Sequence, residues 1–349
     1  MVARMIPCPE VSLRLEGRAG RITLTRPKAL NALTHAMSLA IESALDLWRD
    51  DPAVELVMID AAGDRAFCAG GDVAAVWRAG MAGNPQAGRD FWRDEYRMNA
   101  KLAEYPKPVI ALMQGFVMGG GVGLACHVAH RIVDDSVQMA MPEAGIGLIP
   151  DVGGTLLLAR APAGLGLWLG LTADRMGPGD AIAAGFADHL IPRQDWPALT
   201  AALCRGDLSM ITAMARPAGE TPLLDLCRRI APALDAPDVA GILAGIAACP
   251  EDRAQVGAAA MRRNSPLSMA ATLALIRALP ADADIRTALR AEYRFTFRAA
   301  QPGLTDFHEG VRAQLIDKDR QPNWRPVPDA TEVAALLADL GEDELIFSR

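Results

Sequence analysis

Apolar residues in the first 200 positions recur in short runs that switch between two periods. Residues 11–15 and 21–24 alternate with period two, separated by Gly17 and Gly20, which predicts a β-hairpin. Pro27 ends the second strand. Thr34 stands where a helix cap is wanted, ahead of Met37, Ala40, Ile41, Ala44, Leu45 and Trp48 at helical spacing. Residues 56–59 read as a buried strand, and 67–72 as a turn opening a helix that Asp72 caps. A helix over 91–104 and a strand over 109–112 follow. Glycines 119–121 then open a helix to about residue 129, before short strands at 131–133 and 138–141. Residues 142–154 form a loop, followed by apolar turns over 155–170, a helix from 180 and a last strand at 189–191. Beyond about residue 195 the strand signals fade. The pattern thus predicts an α/β part over 1–205, with repeated ββα or βα units, and a mainly helical part over 206–349.

Composition narrows the classes. The chain has 349 residues, 51% of them hydrophobic, which is enough to bury a sizeable core. A formal charge of −7 and a pI near 5.3 argue against nucleic acid as a partner. The uncharged run from Pro108 to Ala129 is long enough to span a bilayer. Its five glycines, Gln114, His127 and the lack of a companion span favour a buried strand followed by a packed helix. The N-terminal stretch 1–17 has too short an apolar segment for a secretory signal. The six cysteines show no CxxC spacing and read as reduced thiols, so a cytoplasmic location is expected.

Several catalytic patterns are absent. There is no Gly-x-Ser-x-Gly elbow and no Walker A loop, and Gly119-Gly-Gly-Val-Gly123 does not fit the dinucleotide-binding spacing. His127 and His130 are three apart on one predicted helix and read as structural rather than zinc-binding. Two glycine clusters remain, Gly70-Gly71 and Gly119-Gly-Gly121, each just ahead of a predicted helix. Two amides from such turns can converge on one oxyanion; equally, the glycines can simply permit tight turns and close packing. Glu143 and Asp151 flank an apolar loop. A carboxylate in apolar surroundings can serve as base, acid or nucleophile. The plainer alternatives are a solvated loop acid for Glu143 and a helix N-cap for Asp151.

Taken in order, four segments resemble the enoyl-CoA hydratase/isomerase (crotonase) superfamily. They are Thr25-Arg-Pro-Lys-Ala-Leu-Asn-Ala-Leu33, Ala66-Phe-Cys-Ala-Gly-Gly-Asp-Val73, Gly115-Phe-Val-Met-Gly-Gly-Gly-Val-Gly123 and Met141-Pro-Glu-Ala-Gly-Ile-Gly-Leu-Ile-Pro-Asp-Val-Gly-Gly154. Phe91-Trp-Arg-Asp-Glu-Tyr96, Ser265-Pro-Leu-Ser268, Glu292-Tyr-Arg294 and Asp306-Phe-His-Glu-Gly-Val-Arg312 extend the resemblance to its 3-hydroxyisobutyryl-CoA hydrolase branch. Leu315-Ile-Asp-Lys-Asp319 and Asn323-Trp324 continue it.

The resemblance implies an α/β fold: a crotonase-like spiral of repeated ββα units with a helical C-terminal region. It implies an acyl-CoA thioester as substrate and an oxyanion hole from the backbone N–H groups of Gly71 and Gly120. Hydratases carry two glutamates at their water site. One of those positions is Gly123 here and the other is Glu143, so addition of water across a C=C bond loses support. Asp151 matches the hydrolase branch's second acid, and Glu95 a substrate-binding position beside Gly120, Glu143 and Asp151. Lys28, Ala29, Leu30 and Ala69 match CoA-contacting stretches, where the family's contacts are largely backbone. The implied reaction is hydrolysis of 3-hydroxyisobutyryl-CoA, a step of valine catabolism, with Glu143 attacking the carbonyl or activating water. No metal or resident cofactor is implied, CoA being part of the substrate. The rivals are a hydratase or isomerase that shares the oxyanion hole, and a non-catalytic acyl-CoA-binding protein. Relatives often form trimers or dimers of trimers, which leaves a homo-oligomer open.

Overall fold

The computed structural model describes residues 5–347, so residues 1–4 of the stretch considered for a secretory signal lie outside the described residues. The chain forms two compact units. One holds the chain up to Gly71 with Asp94–Met139 and Met176–Thr221; the other holds Asp72–Arg93, Ala140–Arg175 and the chain from Pro222 onward.

The first unit is built on a six-stranded sheet. Its strands are β1 (Val11–Glu16), β2 (Ala19–Leu24), β3 (Leu56–Ala61), β5 (Val109–Met113), β7 (His130–Val133) and β9 (His189–Leu190), in the order β1-β2-β3-β5-β7-β9. Only the β1–β2 hairpin is antiparallel; β2–β3, β3–β5, β5–β7 and β7–β9 are parallel. The central strands β3 and β5 are buried at every position, as parallel strands covered on both faces require. On one face Met58, Ile110, Leu112 and Ile132 pack with Trp196, Leu199 and Leu203 of the helix Trp196–Leu203. Thr34 caps the helix His35–Arg49 as expected, its hydroxyl accepting from Met37 N at 3.3 Å. Gly20 lies inside β2 rather than in the hairpin turn. A Cβ there would sit 2.5 Å from the Trp48 ring, so the glycine admits the indole.

Three further strands, β4 (Ala66–Cys68), β6 (Phe116–Met118) and β8 (Gln138–Ala140), form a second sheet in the order β4-β6-β8; the sequence pattern predicts the strand at β8 but not β4 or β6. Each is three residues long, too short to show a period. They complete the ββα rhythm. β3, β5 and β7 enter the large sheet, and β4, β6 and β8 follow each of them into the small one. The expected site residues Gly71, Gly120 and Glu143 occupy the equivalent place in three successive repeats, two or three positions beyond β4, β6 and β8. The run from Pro108 to Ala129 resolves into β5, β6 and the helix Gly120–Ala125, which stops four residues short of the expected end. Among the described residues, no single helix is long and apolar enough to cross a membrane.

In the second unit the long chain segment is helical, including Asp252–Arg263, Pro266–Ala278 and Ile285–Ala299. The fully buried Trp168 packs against Gly257, where a Cβ would sit 2.2 Å from the ring. Trp92 meets Phe307 edge-on at 5.5 Å between centroids. The last strand ends at Leu190, near the change of pattern read at about residue 205, while each compact unit is assembled from three separated segments.

Candidate active site

In the first unit the two glycine turns come together. Gly119 has φ 47° and ψ −117° and caps the helix that begins at Gly120, so the Gly120 N–H has no intrahelical acceptor. A Cβ built on Gly120 would sit 3.2 Å from Gly71 N and 2.8 Å from Oε1 of Glu95. Only a glycine therefore leaves the two turns this close. Glu95, in the helix Pro85–Ala103, is 2% exposed. Burial, together with the Glu95 charge, pushes the nearby Cys68 thiol up to about 12, so Cys68 is not a thiolate nucleophile.

The stretch expected to contact CoA borders the same turns. Pro27–Ala29 forms a single 3-10 turn, and Leu30 and Asn31 follow in the left-handed region at φ 51° and 54°. Lys28 and Ala29 are exposed, and Leu30 O accepts from Ala69 N at 3.0 Å. Asn31, quoted in the motif without a role, holds this arrangement. Its buried amide donates to Ala66 O at 2.9 Å and Ala62 O at 3.0 Å, while its oxygen accepts from Arg26 N at 2.9 Å.

In the second unit Glu143 begins the 3-10 turn Glu143–Ile146, which Gly147 closes at φ 73°. The C-terminal motifs wall this turn in. A Cβ on Gly147 would lie 2.3 Å from the Asp306 backbone, and one on Gly310 would lie 2.3 Å from that of Ile146. Ser265 N donates to Ala144 O at 3.0 Å, and Ser265 Oγ donates to Asp306 at 2.6 Å and accepts from Ser268 N at 3.0 Å. Residues more than a hundred positions downstream thus shape the backbone that carries Glu143.

Glu143 and Asp151 are 5% and 4% exposed, so Glu143 is not a solvated loop acid. Burial, then the charges of Asp151 and Glu292, hold the Glu143 carboxyl well above the usual carboxylate range. Its Oε2 is buried without a hydrogen-bond partner. Asp151 does not serve as the N-cap weighed for it. The helix Gly154–Arg160 is capped by Gly153, and its leading N–H groups go to Glu292 and to the Asp151 carbonyl. Glu292 is fully buried, and burial pushes its carboxyl up to about 7 against the opposing bonds from Thr155 and Gly153. The sequence did carry a signal for it: Glu292 shares the inward stripe of its helix with Ile285, Ala288, Leu289, Thr296 and Ala299. An acid on such a stripe needs a partner. Among the described residues, no group of three or more His, Cys, Asp or Glu side chains is arranged to hold a metal ion.

The sequence profile described as enoyl-CoA hydratase/isomerase matches residues 19–338. The chain belongs to the enoyl-CoA hydratase/isomerase family. Among its curated relatives is the protein named "3-hydroxyisobutyryl-CoA hydrolase, mitochondrial" of Xenopus tropicalis, 38% identical over 352 residues, 96% of this chain and 90% of that one. Two solved structures match closely. An enoyl-CoA hydratase from Rhodobacter sphaeroides 2.4.1 is 55% identical with a TM-score of 0.92, over 97% of this chain and 100% of that one. A carnitinyl-CoA dehydratase from Mycobacterium thermoresistibile is 38% identical with a TM-score of 0.91, over 97% and 99%. The fold is the crotonase-like spiral that the resemblance implied. Within this family, position 123 is informative: the helix Gly120–Ala125 is buried throughout and offers glycine there, with no carboxylate along its length.

Proposed function

We propose that this chain is an acyl-CoA thioester hydrolase that converts 3-hydroxyisobutyryl-CoA and water to 3-hydroxyisobutyrate and CoA. The observation that carries the reading is the buried Glu143–Asp151 carboxylate pair in a chain whose position 123 is glycine. Curated relatives bearing the hydrolase name over nearly the full length support it.

In this reading the thioester oxygen accepts from the N–H groups of Gly71 and Gly120 as charge develops on it. Glu143 acts as a carboxylate by one of two routes. It attacks the carbonyl carbon, the C–S bond breaks, and water then opens the resulting anhydride. Alternatively, it takes a proton from a water that attacks directly. Either route yields one carboxylic acid and one thiol from one thioester and one water. Asp151 and Glu95 orient the substrate hydroxyl or the water. The reaction balances without a redox group, and the CoA belongs to the substrate.

The names of the two solved neighbours, an enoyl-CoA hydratase and a carnitinyl-CoA dehydratase, favour a second reading, hydration of an enoyl-CoA. That chemistry conventionally uses two glutamates, and glycine at position 123 leaves only Glu143. Assays on 3-hydroxyisobutyryl-, 3-hydroxypropionyl- and crotonyl-CoA separate the readings. Free thiol from the two hydroxyacyl thioesters supports hydrolysis, and binding of all three without turnover supports a non-catalytic acyl-CoA-binding protein.

A pH dependence follows from the Glu143 environment. Both routes need the carboxylate, and its proton is held above the ordinary range, so kcat/KM rises with pH through that elevated value. Asp151→Asn removes the larger of the two neighbouring charges. The acidic limb of the kcat/KM profile is expected to move to lower pH even as the maximum falls. A limb that stays in place contradicts the assignment of that limb to Glu143.

A further inference from the structure

We infer that Glu292 is a positioning residue for this hydrolysis: it clamps the turn Asp151-Val152-Gly153 and through it fixes Asp151 beside Glu143. The inference rests on the reading of Glu143 and Asp151 as the reacting acids.

Three observations in the second unit carry it. The first is the completeness of the clamp. Gly153 N donates to Oε2 of Glu292 at 2.7 Å, while Thr155 N at 3.0 Å and Thr155 Oγ1 at 2.5 Å donate to Oε1. Both carboxylate oxygens are thereby spent on one turn of backbone, reached from a helix 139 residues downstream of Gly153.

The second is strain at the clamped point. Val152 has φ 54°, a left-handed conformation that a β-branched side chain rarely takes. Such a residue persists where its surroundings over-determine it, and such sites cluster where function needs a fixed geometry. The bond from Gly153 N to Glu292 holds the peptide immediately after Val152. Loss of that bond removes a restraint on the strained Val152 peptide, and with it a restraint on the adjoining Asp151.

The third is the choice of group. A short helix can be capped by a serine or threonine at the cap position itself. Here the cap is glycine, and the work falls to a fully buried carboxylate close to two others. Three buried acids in one neighbourhood oppose each other's charge, which stability alone does not call for. Among the described residues, the charges that raise the Glu143 carboxyl are Asp151, from its own loop, and Glu292, from the helix Ile285–Ala299. Glu292 therefore acts in two ways, holding the turn that follows Asp151 by hydrogen bonds from Gly153 and Thr155, and raising the proton affinity of Glu143 by its charge.

The test is Glu292→Gln in the full chain, assayed by thiol release from 3-hydroxyisobutyryl-CoA. Glutamine keeps the volume and one acceptor oxygen but turns an N–H₂ toward the Gly153 N–H. The expected result is a fall in kcat of about 10- to 100-fold with KM little changed. The acidic limb of kcat/KM should move to lower pH. In an Asp151→Asn background the same change should add little further loss, because it acts through Asp151. A lowered Tm with unchanged kcat and an unmoved limb makes Glu292 an ordinary cap and overturns the inference, as do losses that add in full. Should Glu292→Gln fail to fold, Thr155→Val removes only the hydroxyl bond and should lower kcat in the same sense; an unchanged kcat there overturns the inference too. Wild-type turnover separates the two levels: no thiol release by the wild type defeats the hydrolase reading, whatever residue 292 does.

Discussion

Glu143→Gln is expected to slow release of CoA from 3-hydroxyisobutyryl-CoA by about 1,000-fold, within the range general acid–base groups supply. Glutamine has nearly the same volume, so the turn enclosed by Gly147, Gly310 and Ser265 has no reason to open. It has no negative charge, so it can neither attack the carbonyl nor take a proton from water. The fold should survive, since the substitution removes a buried group whose charged form is costly where it stands. Far-UV circular dichroism and thioester binding should match the wild type while thiol release is lost. Thiol release near the wild-type rate would remove Glu143 from the mechanism.

Gly120→Ala tests the other half of the chemistry. The added methyl would meet Glu95 Oε1 at 2.8 Å and Gly71 N at 3.2 Å. Glu95 must move and the Gly71 turn must give way, which disturbs the close approach of the two amides that the proposed oxyanion hole needs. Loss of an oxyanion donor costs roughly 100- to 1,000-fold in kcat, and a similar fall in kcat/KM is expected here. Gly121→Ala is a useful contrast. Its methyl would meet the Cys68 carbonyl oxygen at 2.3 Å, so it should lower Tm as well as activity. If Gly120→Ala leaves thiol release intact, Gly120 is a packing glycine, the plainer reading open to it from sequence.

The sequence was informative wherever a feature is local. Thr34 and Asp72 cap the helices they precede, and β3 and β5 are buried as continuous apolar runs predict. The glycine turns were visible because glycines ahead of helix periodicity have few other uses. What stayed hidden depends on distant partners or on very short elements. β4 and β6 are three residues each, and 67–72 therefore read as a turn throughout. Asp151 was weighed as a cap because capping is normally local; here the acceptor comes from Glu292 across most of the C-terminal segment. The Ser265 and Asp306 motifs could be matched to a family, but only the folded chain shows them bracing the Glu143 turn. Compactness built from three segments per unit leaves no mark on a one-dimensional pattern.

The central claim, thioester hydrolysis rather than hydration, is most directly tested by stoichiometry. Purified protein is incubated separately with 3-hydroxyisobutyryl-CoA and with crotonyl-CoA, and free thiol and loss of the enoyl double bond are followed together. The account predicts one free CoA for every 3-hydroxyisobutyryl-CoA consumed, with little change in crotonyl-CoA. Rapid loss of the crotonyl double bond with no thiol released from either thioester would contradict it.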